Sequence, residues 1–362
     1  MNFLKKNLYQ LYKVLSTPFS GFKRYKGGQQ KSALTVILEQ LRWFITEGNA
    51  NEYYYLFGLN IQGSRQKDFV GRKEILKYRE KAERILYRIN GTASLQYDVL
   101  TKDKFIAGNY FSALGLPVIP VLGLVSGNYS LTKQGERKEL SEIIKNGTPF
   151  VLKNISMEAA DGFLMCEPVS EDSVLVNGIQ ESISELLKKL SGARYILQEK
   201  IQSHSEYRKF NGTALNTTRI VTILTSEGPV YLGGFQSFAT GTSKVDAWSQ
   251  GAVYVGFDSE RSSLKGNGYF HPGIPGAAIC DVHPDSGLKF ENHLLPYLKD
   301  AVELCLKAHE YLYNTFIVGW DIAITDNGPL IVEANEKPGM NAFQAINGGQ
   351  RSRIIKCYQS LE

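Results

Sequence analysis

The chain has 362 residues, longer than one average domain, and this length predicts two or three packed subdomains. Apolar residues at 43 % and charged residues at 21 % exclude wholesale disorder, and there is no collagen-like repeat or sustained coiled-coil pattern. The net charge of +5 is unevenly divided: residues 1–90 hold 17 Lys and Arg against 7 Asp and Glu, while the rest hold 24 against 29.

No apolar run approaches the roughly 20 residues that a membrane span needs. The opening MNFLKKNLYQLYKVL lacks the continuous apolar stretch and cleavage site of a secretory signal, so a cytoplasmic location is expected. Cys166, Cys280, Cys305 and Cys357 lie far apart with no CxxC spacing, which points to reduced core thiols rather than disulfides or a zinc site.

In chain order, Leu4, Leu8, Leu11 and Leu15 recur at helical spacing with Lys5, Lys6 and Lys13 between them. Such an amphipathic helix either packs on the rest of the chain or lies peripherally on an anionic membrane such as the inner membrane face. Nucleic acid is not the expected partner, because the basic residues spread over several predicted helices without a recognised binding motif. Further helices are predicted over 32–47 and 72–89, the second ending at Asn90-Gly91. Residues 1–95 thus read as a basic, mostly helical region.

From Thr101 a helix with Asp103 near its start should run to Leu114, with Gly115 after it and Pro117 turning the chain into a strand over VIPVLGL (118–124). A strand over 149–155, a helix over 182–190 and a strand over 195–201 follow. Strands over 219–225, 229–238 and 252–258 then precede a looser Gly/Pro-rich stretch over 266–288 and a helix over 296–313. The class is α+β, with subdomains over 96–200 and 201–362 after the helical head.

The most informative segment is a hairpin, FIVGWDIAIT (316–325) and PLIVEAN (329–335), around Asp326-Asn327-Gly328. With the loop centred on Asn327, Asp321 falls opposite Glu333 at roughly 5 Å, and period-2 alternation brings Asn335 to the same face. Two carboxylates and a carboxamide on one face suit a hard cation such as Mg2+, which relieves their repulsion. The remaining hairpin residues are those of a buried strand pair.

With these residues in hand, the chain resembles the ATP-grasp superfamily over about residues 100–345, and within it the sugar-transfer-associated ATP-grasp proteins found with bacterial surface-polysaccharide genes. Supporting patches are QEKIQSH (198–204), NTTRI (216–220) and GWDIAI (319–324). The resemblance implies two α+β subdomains clamping ATP, with Asp321, Glu333 and Asn335 holding Mg2+ on the phosphates. It implies a phosphate contact for Lys153, a phosphate-covering loop over 155–162 in which only Gly162 keeps the small-residue pattern, and an adenine hinge at Glu199, Lys200 and Ile201. Glu206 falls where relatives bind ribose. Counting back from Gly115 places a second family lysine at Gly108, with Lys104 one turn earlier. Relatives that form amides often carry an arginine two residues before the metal aspartate. That position is Gly319, so Arg219 or Lys244, the latter in a loop with Asp246, is expected to supply the cation. PGMN (338–341) resembles the loop bordering the acceptor site.

These implications favour an ATP- and Mg2+-dependent carboxylate–amine ligase working through an acyl phosphate on small-molecule, possibly sugar-linked, substrates for surface polysaccharide or capsule synthesis. A kinase acting on a hydroxyl and a non-catalytic nucleotide-binding scaffold of a glycan assembly complex are the alternatives. There is no Ser-His-Asp or Cys-His pattern to suggest nucleophilic catalysis.

Overall fold

The computed structural model describes residues 3–19, 28–92, 97–132, 134–156, 162–274 and 279–362. Its head contains three long helices, α1 (Phe3–Ser16), α2 (Ala33–Glu47) and α3 (Arg72–Ile89). Ser32 caps α2 by accepting the Thr35 N–H, and Gly48 closes it in the left-handed conformation. The helix expected over 101–114 is broken in two, α4 (Val99–Lys102) and α5 (Lys104–Ala113). Asp103 causes the break: its backbone is extended and its carboxylate accepts the N–H groups of Phe105 and Ile106, so it caps α5 instead of lying within a longer helix.

An eight-stranded antiparallel sheet follows. Its strands are β1 (Val121–Ser126), β2 (Tyr129–Thr132), β3 (Arg137–Glu139), β4 (Phe150–Asn154), β5 (Phe163–Pro168), β6 (Ser173–Val176), β7 (Ile179–Ser182) and β8 (Arg194–Glu199). They lie in the order β3-β2-β1-β8-β4-β5-β6-β7. Helices α6 (Leu140–Lys145) and α7 (Ile183–Leu190) supply Leu140, Ile144, Leu186 and Leu190 to a core with Val125, Leu152 and Leu197. The capping box between Ser182 and Glu185 fixes the start of α7.

After the short α8 (Ser205–Arg208) comes a seven-stranded sheet, β9 (Thr217–Thr225), β10 (Gly228–Phe238), β11 (Val253–Asp258), β12 (Ser263–Tyr269), β13 (Ile279–Cys280), β14 (Ile317–Thr325) and β15 (Gly328–Asn335). Its order is β13-β12-β11-β10-β9-β14-β15. Helix α9 (Leu298–Glu310) packs on one face, with Leu298, Ala301, Cys305 and Ala308 against Ile220, Trp320 and Ile322. The head covers the other: Leu56, Val70, Ile75 and Leu86 join Val221, Ile223, Phe316 and Ile317 in a second core. Two closing helices, α10 (Met340–Asn347) and α11 (Arg351–Ser360), add Phe343 and Ile354 to it.

The strand expected over 118–124 begins later, at Val121. Val118 instead makes a parallel bridge to Ile331, with Ile119 N–H donating to the Ile331 carbonyl at 3.2 Å and Ile331 N–H to the Pro117 carbonyl at 2.9 Å. This link, together with Ala107, Phe111 and Leu116 in the α9 core, places α5 on the second sheet and brings the end of the first sheet over β15.

Candidate functional site

The hairpin places Asp321 opposite Glu333, by a route that differs from the expected one. The turn has two residues, Asp326 and Asn327, with Thr325 paired to Gly328. A one-residue bulge at Val332 then shifts the register between Asp321 and Ile322. Turn and bulge together return the pairing to the one a centred three-residue loop gives. Asn335 lies on the same face, where its amide donates to Glu333 Oε1 at 3.0 Å and Asp321 Oδ2 at 3.3 Å.

On the other side of β14, Asp321 pairs in register with Arg219 of β9. The guanidinium donates from Nε to Asp321 Oδ1 at 2.6 Å, from Nη2 to Oδ2 at 3.0 Å and from Nη1 to the Pro338 carbonyl at 3.0 Å. Arg219 is the third residue of its strand, which aims it across the sheet into this cluster. Gly319 is needed beneath it: a Cβ there would lie 2.8 Å from Pro338 Cβ and 3.4 Å from Arg219 Nη1. The space belonging to a side chain at 319 is therefore taken by the 338 loop and the arginine of the adjacent strand.

Two lysines approach from the opposite side. Lys104, at the start of α5, lies 3.9 Å from Glu333 Oε2, and its backbone N–H donates to the Ile155 carbonyl just past β4. Lys153, in β4, lies within the field of Glu333, Lys104 and Asp321. Gly108, where the count along the chain had placed the first lysine, cannot hold a side chain, because a Cβ would meet Val121 Cγ2 at 2.9 Å. The cap at Asp103 is the sequence signal that sets Lys104 at the head of its helix, facing the hairpin.

The electrostatics follow from burial in one cluster. Burial raises the Asp321 pKa and Glu333 adds to the effect, against the opposing pull of Arg219. For Glu333, burial also works upward, but Lys104, the Asn335 amide and Lys153 outweigh it and hold the group below its ordinary value. Burial depresses Lys153, opposed by Glu333 and reinforced by Lys104. Asp246, overlooked by the sequence as anything but a neighbour of Lys244, is a further buried acid. Burial raises its pKa, countered by bonds from the Thr217 N–H and hydroxyl, both at 2.6 Å.

A cleft of about 320 Å3 opens between the sheets. Ile119, Val151, Phe163, Met165, Ala214 and Leu215 give it apolar walls, the segment 198–203 forms one side, and Lys153 and Lys244 stand at its polar parts. Glu199, Lys200 and Ile201 all line it as β8 ends, and Lys200 pairs with Glu167. The Lys244 stem also approaches the β6–β7 turn, with Cε 3.8 Å from a Cβ built on Gly178. Glu206 is absent from this lining; it faces Lys209 across 2.7 Å on α8. Gly162 has φ 72° and its carbonyl accepts the Asn154 N–H at 3.1 Å. The rest of the expected phosphate-covering loop, 157–161, lies outside the described residues.

No cluster of three or more His, Cys, Asp or Glu side chains suited to a metal occurs among the described residues. A hard divalent cation here would rest on the Asp321 and Glu333 carboxylates and on the Asn335 carboxamide, whose oxygen turns inward when the amide flips. This donor set suits Mg2+, which takes few protein ligands and keeps the rest of its shell for phosphate and water. No described helix is long and apolar enough to cross a membrane.

No curated protein matches the chain in sequence. Solved structures similar to it include N5-carboxyaminoimidazole ribonucleotide synthetase from Thermotoga maritima, at 14 % identity over 73 % of this chain and 50 % of that one, TM-score 0.40. D-alanine–D-alanine ligase from Helicobacter pylori matches at 14 % identity over 73 % and 62 %, TM-score 0.42. Phosphoribosylamine–glycine ligase from Thermotoga maritima matches at 15 % identity over 73 % and 55 %, TM-score 0.42. The chain thus spans about half the length of the first of these. The family described as sugar-transfer associated ATP-grasp matches residues 89–356, and the chain, with its helical head and two antiparallel sheets, belongs to this family and has the ATP-grasp fold.

Proposed function

We propose that the protein is an ATP- and Mg2+-dependent ligase that joins a small carboxylic acid to an amine, in the synthesis of a bacterial surface polysaccharide or a related metabolite. The observation that carries this reading is the convergence of Asp321, Glu333 and Asn335 with Arg219, Lys104 and Lys153, the last of which also lines the cleft. The cleft has the dimensions and walls of a site for a flat aromatic base, with the backbone of Glu199–Ile201 available to read its edge. Lys153 and Lys104 would then meet the phosphates, and Asp321, Glu333 and Asn335 would hold Mg2+. Bound there, Mg2+ would neutralise charge on the phosphate oxygens.

In the proposed reaction a substrate carboxylate oxygen attacks the γ-phosphorus, the bond from that phosphorus to the bridging oxygen breaks, and ADP leaves. The amine then attacks the acyl carbon, loses a proton and displaces inorganic phosphate. Arg219 is held in place by two bonds to Asp321 and one to the Pro338 carbonyl, so its charge is fixed beside the loop that borders the acceptor. Such a preorganised cation stabilises an oxyanion without reorganising. In this reading Arg219 supplies the cation that Gly319 does not.

The test is incubation with Mg-ATP and pooled sugar acids, amino acids and amines, following ADP, free phosphate and product mass. ADP with phosphate and a product one water lighter than its two parents supports ligation. A product heavier by a phosphoryl group, or ATP binding without turnover across the pool, refutes it.

A further inference from the structure

The first two helices each present an apolar stripe outward. On α1 and the turn that follows it, Leu8, Tyr12, Leu15 and Phe19 recur at i, i+4, i+7 and i+11 and form one stripe. On α2, Leu34, Leu38 and Ile45 repeat the same spacing, with Leu41 half-buried between them. These seven side chains are between 48 % and 78 % exposed. The two helices pack against each other.

Helix α1 is held to the protein by its other side. Val14 is fully buried, Gln10 Oε1 accepts the Ala50 N–H at 2.9 Å, and the Tyr55 hydroxyl donates to the Thr17 carbonyl at 2.9 Å. The helix therefore buries a partly polar edge and exposes Leu8, Leu11 and Leu15, the reverse of a helix stabilised by core packing alone. The helix thus packs on the chain, as the first of the two readings expects, and also keeps an apolar face outside.

The charge beside the stripes is mostly basic: Lys13 pairs with Glu52 and Lys31 with Glu39, while Lys5, Lys6 and Arg42 are exposed. Helix α1 carries Lys5, Lys6 and Lys13 and no acid, and Arg42 is exposed on α2. Nor does the acidic body consume the surplus of the head. Among the described residues, one ion pair runs from a basic residue of 1–90 to an acid beyond it, Arg79 with Glu336, while Arg351 with Glu74 runs the other way.

We propose that the outward stripes of α1 and α2 dock on an anionic lipid bilayer. Leucines, tyrosine and phenylalanine flanked by lysines match the apolar and anionic layers of a membrane surface, in which such helices lie flat. A second copy of the chain would set lysines against lysines and is a poorer match. The inference is independent of the chemistry at the hairpin.

The test is co-sedimentation of the full chain with vesicles of phosphatidylcholine, with and without phosphatidylglycerol. Binding is expected only with phosphatidylglycerol and should weaken as salt rises. Leu8→Asp with Leu15→Asp, and separately Lys5→Glu with Lys6→Glu, should each lower partitioning by about tenfold or more while leaving the melting temperature unchanged. No binding to the anionic vesicles overturns the proposal, as does equal binding by the well-folded variants. A dimer in sedimentation velocity that the leucine variant dissociates, without vesicle binding, overturns it in favour of self-association.

Discussion

Replacing Arg219 by Ala is the most informative perturbation of the proposed site. The change removes two bonds to Asp321, at 2.6 and 3.0 Å, and one to the Pro338 carbonyl at 3.0 Å. Removing one partner of a buried ion pair costs about 3–5 kcal/mol, because the other is left buried and uncompensated. The two side chains retain 21 % and 15 % exposure, and Asp321 keeps its bond from Asn335, so the lower end applies, about 3 kcal/mol. For a chain of this size that lowers the melting temperature by roughly 4 °C. Asp321 and Glu333 then face each other without the guanidinium, so Mg2+ should raise the melting temperature of the variant more than that of the wild type. Adding Asp321→Asn should recover part of the lost stability and abolish the larger Mg2+ response, a coupling that a double-mutant cycle measures. Turnover should fall by about a hundredfold or more, the scale for losing one preorganised donor. Arg219→Lys, which keeps charge without the two-pronged bond, should fall between. A variant melting within about 1 °C of wild type, with undiminished turnover, would refute the assignment.

Glu333→Gln keeps the shape of the hairpin but removes a ligand charge, so turnover should vanish and Mg-ATP should bind more weakly by calorimetry; full activity would refute the metal assignment. Lys153→Met should raise the Kd for ATP by about tenfold or more while leaving the fold intact, since the half-buried side chain lines the cleft within the field of Glu333 and Asp321; unchanged affinity counts against its phosphate role. His309 gives a pH prediction. It is fully buried, its Nε2–H donates to the Thr315 carbonyl at 2.9 Å, and its Nδ1 accepts the Thr222 hydroxyl at 2.7 Å, so the ring is held neutral and burial lowers its pKa from 6.5 to about 4. The unfolded chain takes up the proton first, so this stability is complete above pH 6.5 and is lost as pH falls towards 4, with about 1.2 kcal/mol gone between pH 7 and 5.5. Urea unfolding at both pH values should show that component in the wild type and not in His309→Gln; equal losses in both would sink it.

Much of this was readable before any coordinates, and the exceptions have physical causes. Helix α2 of the head and α7 carry their own caps at Ser32 and Ser182, so local chemistry places them. The hairpin pairing came out right because strand alternation fixes which side chains share a face, even though the turn was one residue shorter and a bulge made up the difference. The approach of Lys104 to Glu333 was hidden because a count along the chain carries no tertiary contacts, such as the packing of Gly108 against Val121. The short strands β5, β6 and β7 went unread: four to six residues each, they draw stability from pairing with β4 and one another, a non-local term that a sequence window does not contain. The exposure of the leucines on α1 was equally hidden. Periodicity identifies the stripe but does not say whether it faces in or out.

The head looks from its charge like a separable attachment, and the packing argues otherwise. Leu56, Val70, Ile75 and Leu86 lie against Val221, Ile223, Phe316 and Ile317 on the face of the second sheet opposite α9. Burying four such side chains contributes roughly 6–12 kcal/mol, as large as the whole net stability of a typical protein. The polar links are equally direct: Gln344 and the backbone of Val70 exchange two bonds of 2.9 Å. Arg79 reaches Glu336 at 3.1 Å, the residue directly after Asn335. Residues 96–362 expressed alone should therefore be insoluble or melt far below the full chain, and supplying residues 1–95 as a separate polypeptide should restore solubility. A soluble, monomeric 96–362 fragment with a melting temperature near that of the full chain would refute this. The apolar contacts make the head necessary for folding, and the Arg79–Glu336 pair also ties it to the strand end that carries Glu333 and Asn335.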